Sequence, residues 1–380
     1  MKKLKFLVVA ALLTMLLFTG GQKNVYAQEN FIEKAKSAIL ISESGKILYE
    51  KNSEEKRQIA SIVKLMTLKL VFDNLEQGKL NMEDDVVVSD NAAAMGGSQM
   101  FLDASSNHKL KDIIKGVIVA SANDGAVVLA ETVAGNEASF VKLMNEKAKE
   151  MGLNSSHFTD CTGLSSDHYS TAKDVALLAS NVLTNDYYKE YSNIWLENYT
   201  HPSGRITGLA NTNRLIRFYN GCDAGKTGST DEAGYCLTAS AEKNNLRLIS
   251  VVLGEENSSD RFSETKDLLN YGFNHFESKT IFKCDDVVEQ VSFKKHHELV
   301  DLYVEKDLRL VYEKGQELIY DTEIVLTKQS APIKSGEVVG EIRILFNGEV
   351  CAKGNLIVRK DVDKSTVFEL ADSLIKKWKI

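Results

Sequence analysis

Cysteine is scarce and scattered in this chain of 380 residues. Its five cysteines (Cys161, Cys222, Cys236, Cys284, Cys351) form no C-x-x-C pair and are too few for a disulfide scaffold. The seven histidines lack metal-ligand spacing, and the adjacent His296 and His297 would point to opposite faces of a strand. No metal and no cofactor is therefore expected. Proline occurs only at Pro202 and Pro332, and a chain that is 43% hydrophobic and 26% charged is neither disordered nor collagen-like. Positive charge is in deficit. A formal net charge of -7 gives no reason to expect nucleic acid as a partner.

Long apolar runs are missing as well, with one exception. Lys2, Lys3 and Lys5 precede an apolar run over residues 6–18, and Val25-Tyr26-Ala27 then offers small residues in an A-x-A-like arrangement. A charged start, a greasy middle and a small-residue exit describe a secretory signal, with cleavage expected after Ala27. The other reading is an uncleaved anchor, but the run is short of the roughly 20 apolar residues that span a bilayer. No cysteine follows closely, so lipoprotein processing has no support. The odd cysteine count in an exported protein leaves at least one thiol free or paired between chains.

Residues 38–42 and 46–50 read as strands around the turn Glu43-Ser44-Gly45. Residues 61–75 read as a helix apolar on nearly every side, hence buried. Residues 110–180 read as mostly helical, with Gly152 ending the helix of residues 140–151. Strands return at 235–241 and 246–253 around Asn244-Asn245, followed by a helix over 263–273. This order suggests an α+β fold: one sheet made from both ends of the segment, with helices packed on it. Beyond residue 279 come short β-type runs, with Asn347-Gly348 a strong hairpin signal, so a small all-β domain is expected. Residues 365–380 read as an amphipathic helix with Trp378 and a lysine cluster at Lys376, Lys377 and Lys379. Such a helix suits an anionic membrane surface; docking on its own domain is the alternative. The expected division is a signal peptide at 1–27, an acyl-transfer domain at 28–279, a β-rich domain at 280–361 and the amphipathic helix at 362–380.

Three short motifs carry the chemistry. In Ser61-Ile62-Val63-Lys64 the two outer residues share a helical face. Serine needs a base, and a lysine whose charge is made costly by burial can serve. Ser121-Ala122-Asn123 supplies a hydroxyl and a carboxamide able to relay a proton and hold a peptide amide. Lys226-Thr227-Gly228, followed by Ser229, offers groups for a carboxylate and a glycine that admits a substrate backbone. Each triplet alone is better explained by a helix cap, a helix break or a glycine-entered strand. Their order after a signal segment is another matter, because S-x-x-K, S-D-N and K-T-G together mark penicillin-binding proteins and class A β-lactamases, and this chain keeps the Ser and Asn of the second motif.

The chain resembles the low-molecular-mass penicillin-binding proteins, serine-type D-alanyl-D-alanine carboxypeptidases. The resemblance extends to residues 59–67, 97–102, 168–172 and 225–236 and to Gly163-Leu164, Arg261-Phe262 and Tyr271-Gly272-Phe273. It implies a DD-peptidase/β-lactamase-like fold with an antiparallel sheet, and a β domain and tail like those of the family's membrane-held form. It implies Ser61 as nucleophile, Lys64 as base and Ser121, with Lys226, as proton relay. It implies Asn123 on the substrate amide, Thr227 and Arg261 on the terminal carboxylate, and the N–H groups of Ser61 and Ser229 as oxyanion hole. Lys226 and Gly228 complete the binding strand. The implied partners are peptidoglycan stem peptides, β-lactam inhibitors and the outer face of the cytoplasmic membrane. Ile59 stands where proline is common and Ala122 where glycine is frequent, but neither removes a chemical group. Two alternatives are a β-lactamase, for which Glu150 in E-x-x-L-N is a formal match, and a non-catalytic β-lactam-sensing or wall-binding protein.

Overall fold

The structure is a computed structural model that describes residues 31–346, 348–366 and 369. The expected signal segment, Asn347 and nearly all of the expected tail helix lie outside the described residues.

The strands β1 (Ser37–Ser42) and β2 (Ile47–Lys51) form the expected hairpin. Late in the domain come β3 (Cys222–Thr230), β4 (Gly234–Lys243) and β5 (Leu246–Glu255). They join the first pair in one antiparallel sheet of order β2-β1-β5-β4-β3. Every residue of β1 and β5 is buried, which explains their unbroken apolar runs: helices cover both faces. Asn244 and Asn245 have φ of 51° and 63°, the left-handed pair that a tight β4–β5 turn demands.

Alternation along β1 assigns its two faces. Ile39 and Ile41 belong to the large core, together with α1 (Lys64–Glu76), α2 (Leu110–Val119), α3 (Asn123–Ala134), α4 (Glu137–Glu150) and α5 (Ala172–Val182). Leu40 faces α6 (Ser258–His275) instead. A Cβ on Gly272 of α6 would stand 2.7 Å from Leu40 and 2.5 Å from Leu248, so glycine there lets the helix lie close on the sheet. Helix α6 is longer than the expected 263–273, and Arg261 falls in its first turn. Residues 110–180 are less helical than expected, since 151–171 are irregular apart from isolated bridges.

Helix α6 runs directly into β6 (Phe276–Phe282), a strand the sequence did not announce because its faces are mixed. The all-β region continues with β7 (Glu289–Ser292), β8 (Leu299–Val304), β9 (Leu308–Glu313), β10 (Tyr320–Leu326), β11 (Val338–Phe346) and β12 (Glu349–Ile357). Strand β6 pairs with β9, and the others form a sheet of order β7-β8-β12-β11-β10. Its separate core includes Phe293, Leu302, Val304, Ile342, Ile344 and Leu356.

Candidate active site

Ser61 sits in a 3-10 turn, Ala60–Val63, not at the head of an α-helix as expected; α1 begins at Lys64. The tighter turn still brings the pair together, and the Lys64 amine donates to Ser61 Oγ at 3.0 Å. The helix around Lys64 is so apolar that Lys64 itself is fully buried. Its second hydrogen bond goes to the carbonyl of Thr162 at 2.7 Å. Burial pushes its pKa down to about 8, against smaller opposing effects of Cys161, Asp160 and Asp124. A neutral amine is therefore accessible near physiological pH.

Ser121 occupies the break between α2 and α3 with φ of 59°, a strained conformation for serine. It accepts from the Lys226 amine at 2.6 Å. Lys226, on β3, is fully buried and also donates to the Thr227 carbonyl at 2.9 Å. Burial, then Lys64 and Arg261, hold its pKa well below the usual lysine range. Two buried lysines thus serve the site, Lys64 bonded to Ser61 and Lys226 to Ser121, close enough for Lys64 to lower the pKa of Lys226.

Asn123 begins α3 and is 2% exposed. Its Nδ2 donates to the Gly96 carbonyl at 2.7 Å, while Oδ1 is buried with no partner among the described residues. A Cβ on Gly97 would come within 2.8 Å of Nδ2, so glycine makes room for the carboxamide. Strand β3 lies against the Ser61 turn at Gly228, where a Cβ would sit 2.6 Å from the Ile59 carbonyl and 3.1 Å from the Ser61 nitrogen. The Gly228 carbonyl accepts from Arg261 Nη1 at 3.2 Å, and Arg261 lies over the Tyr235 and Phe262 rings. Thr227 and Ser229 are its neighbours on β3. The structure thus links Ser61 to Lys64, Ser121 to Lys226, and both Ser61 and Arg261 to Gly228.

Several contributors were not visible as motifs. Thr162 acts through a main-chain carbonyl, which leaves no side-chain signature. Asp124, 1% exposed, accepts from the N–H groups of Met100 and Leu102, each at 3.0 Å, and so hangs residues 96–102 beside Asn123. It stands next to Asn123 in the sequence, a signal that was available. His168 accepts from the Ile59 N–H at 3.3 Å, just ahead of the Ser61 turn. Glu150, the formal β-lactamase match, is exposed at the end of α4 and paired with Lys147 at 2.7 Å.

The D-alanyl-D-alanine carboxypeptidase family matches residues 23–257, and the penicillin-binding protein 5 C-terminal domain matches residues 276–364. The D-alanyl-D-alanine carboxypeptidase DacF of Bacillus subtilis (strain 168) is 37% identical over 91% of this chain and 90% of its own length. DacA of Escherichia coli (strain K12), another D-alanyl-D-alanine carboxypeptidase, is 32% identical over 88% and 85%. The crystal structure of penicillin binding protein 5 from Haemophilus influenzae superposes with a TM-score of 0.69 at 31% identity, covering 87% of this chain and 98% of that one. This chain belongs to the serine D-alanyl-D-alanine carboxypeptidases, the low-molecular-mass penicillin-binding proteins.

Proposed function

We propose that Ser61 is the nucleophile in removal of the terminal D-alanine from peptidoglycan stem peptides. The observation that carries this reading is the Lys64 amine, 3.0 Å from Ser61 Oγ in surroundings that favour its neutral form. Neutral Lys64 takes the Ser61 proton as Oγ attacks the carbonyl of the penultimate D-alanine. The developing oxyanion is met by the N–H groups of Ser61 and Ser229. Collapse breaks the C–N bond, and the proton that Lys64 took passes through Ser121 to the leaving amine, while Lys226 holds Ser121 by its hydrogen bond and Lys64 returns to its neutral form. Water then hydrolyses the ester and regenerates Ser61. Asn123 Oδ1, buried and unpaired, is the acceptor for a substrate N–H. Thr227 and Arg261 receive the terminal carboxylate. Penicillins acylate the same serine.

The chain's division into a leader at 1–27, a peptidase domain at 28–279, a β-rich domain at 280–361 and a tail at 362–380 belongs to this reading. The leader exports the protein, and the basic amphipathic tail holds it to the outer face of the cytoplasmic membrane. No described helix is long and apolar enough to cross a membrane.

Release of free D-alanine from an acylated peptide ending in D-Ala-D-Ala tests the proposal. The wild-type chain should release it. Ser61→Ala should release less than a thousandth as much, in keeping with the cost of losing a catalytic serine. Full activity in that variant would end the mechanism.

A further inference from the structure

The irregular stretch between α4 and α5 contains a carboxylate that the mechanism has not used. Asp160 Oδ1 accepts from the N–H of Thr162 at 2.8 Å and from the N–H of Gly163. Its Oδ2 accepts from the N–H of Ser165 at 2.6 Å. One side chain thus gathers three main-chain donors and bends residues 160–165 around itself. The products of that bend point at the nucleophile. The Thr162 carbonyl meets the Lys64 amine, and Gly163, with φ of +84°, leaves no room for a Cβ against Ala60 and the Ser61 nitrogen.

The rest of the bend is tied to its neighbours. Thr67 of α1 donates to the Cys161 carbonyl at 2.7 Å. Glu137 of α4 accepts from the Cys161 N–H at 3.1 Å. The turn is therefore clamped from both helices, and within it Asp160 holds three N–H groups while Thr162 Oγ1 accepts from the Leu164 N–H at 3.3 Å.

We propose that Asp160 is a positioning residue for Lys64: its carboxylate folds the 160–165 turn that presents the Thr162 carbonyl to the amine, and it places a negative charge in the amine's surroundings. This rests on the reading of Lys64 as base. The amine donates one hydrogen to Thr162, which orients what remains toward Ser61. The charge acts in the other direction, since an anion nearby favours the ammonium form. Lys64 is also faced by Lys226 from β3, Asp124 from α3 and Cys161 from the turn, with Glu137 and His168 behind them. Asp160 supports the geometry of the base at some expense to its readiness.

The test is the pH profile of acylation of the full chain by a chromogenic penicillin, between about pH 5 and about pH 9, for wild type, Asp160→Asn and Asp160→Glu. Asp160→Asn keeps an oxygen for two of the three donors and loses the charge. Its acid limb should move down by about half a pH unit, while its plateau rate falls roughly tenfold. Asp160→Glu keeps the charge and misplaces the turn, so its limb should stay with wild type while its plateau falls. An Asp160→Asn profile lowered with no movement of the limb would reduce Asp160 to a structural residue and overturn the proposal. A wild-type profile in both variants would overturn it as well. If Asp160→Asn fails to reach the native circular dichroism spectrum, Asp160→Glu decides: a wild-type plateau there contradicts the positioning role. A wild-type chain inert to penicillin would instead count against the catalytic reading itself.

Discussion

Lys64 is held where an ammonium is poorly tolerated, and that has a thermodynamic signature. Its folded pKa of about 8 lies below the ordinary 10.5. Between those values the unfolded chain binds a proton that the folded one does not, so this group makes stability rise with pH across that window. At pH 7 the folded site must either carry the charge in an apolar setting or release the proton. Lys64→Met removes that cost and also forfeits the bonds to Ser61 and Thr162. The net expectation is a protein about 1–2 kcal/mol more stable than wild type at pH 7 and without peptidase activity, read by thermal melting and D-alanine release. The wild-type kcat/KM should rise with pH through about 8 as the base becomes neutral. A less stable Lys64→Met protein at pH 7 would show that the lysine is comfortable in its site and undermine its role as base.

At the scale of elements, the site is a joint between a strand and a turn. Strand β3 carries Lys226 to Ser121 and lies on the Ser61 turn through Gly228. Gly228→Ala should force the two apart. The expected cost is about 2 kcal/mol of stability and at least a tenfold fall in kcat/KM. Gly208→Ala is the control, because the nearest atom to a Cβ there is 4.0 Å away. Equal effects at both positions, by melting and kinetics, would mean that the close approach at Gly228 is unimportant. How much of this was legible follows the same physics. Strands β1 and β5 are buried on both faces and wrote themselves as apolar runs. Strand β6 and the antiparallel pairs of Asp85–Val87 with Asn107–Lys109 and Leu196–Thr200 with Ile206–Ala210 are short or mixed, and no period announced them. The S-x-x-K spacing located Ser61 and Lys64 but suggested a helix where a 3-10 turn stands. Thr162 stayed hidden because its contribution is a carbonyl. Asp160 stayed hidden because its partners are main-chain donors.

For the whole molecule, the described site residues all lie before β6, and the β region contributes a second, independent core. The two are stitched together by main-chain acceptors: Lys46 donates to the Val311 carbonyl at 2.8 Å and Lys314 to the Phe273 carbonyl at 2.7 Å. The start of the described chain is likewise fastened, because Glu264 of α6 accepts from the N–H groups of Glu33, Lys34 and Ala35 just ahead of β1. The claim on which everything else depends is that Ser61 is the acylated atom's owner. The most direct measurement is the intact mass of the full chain after brief exposure to penicillin, followed by peptide mapping of the adduct. The account predicts one whole penicillin per chain, on the peptide containing Ser61, and none on Ser61→Ala. An adduct on another residue, or one that persists in Ser61→Ala, would contradict it.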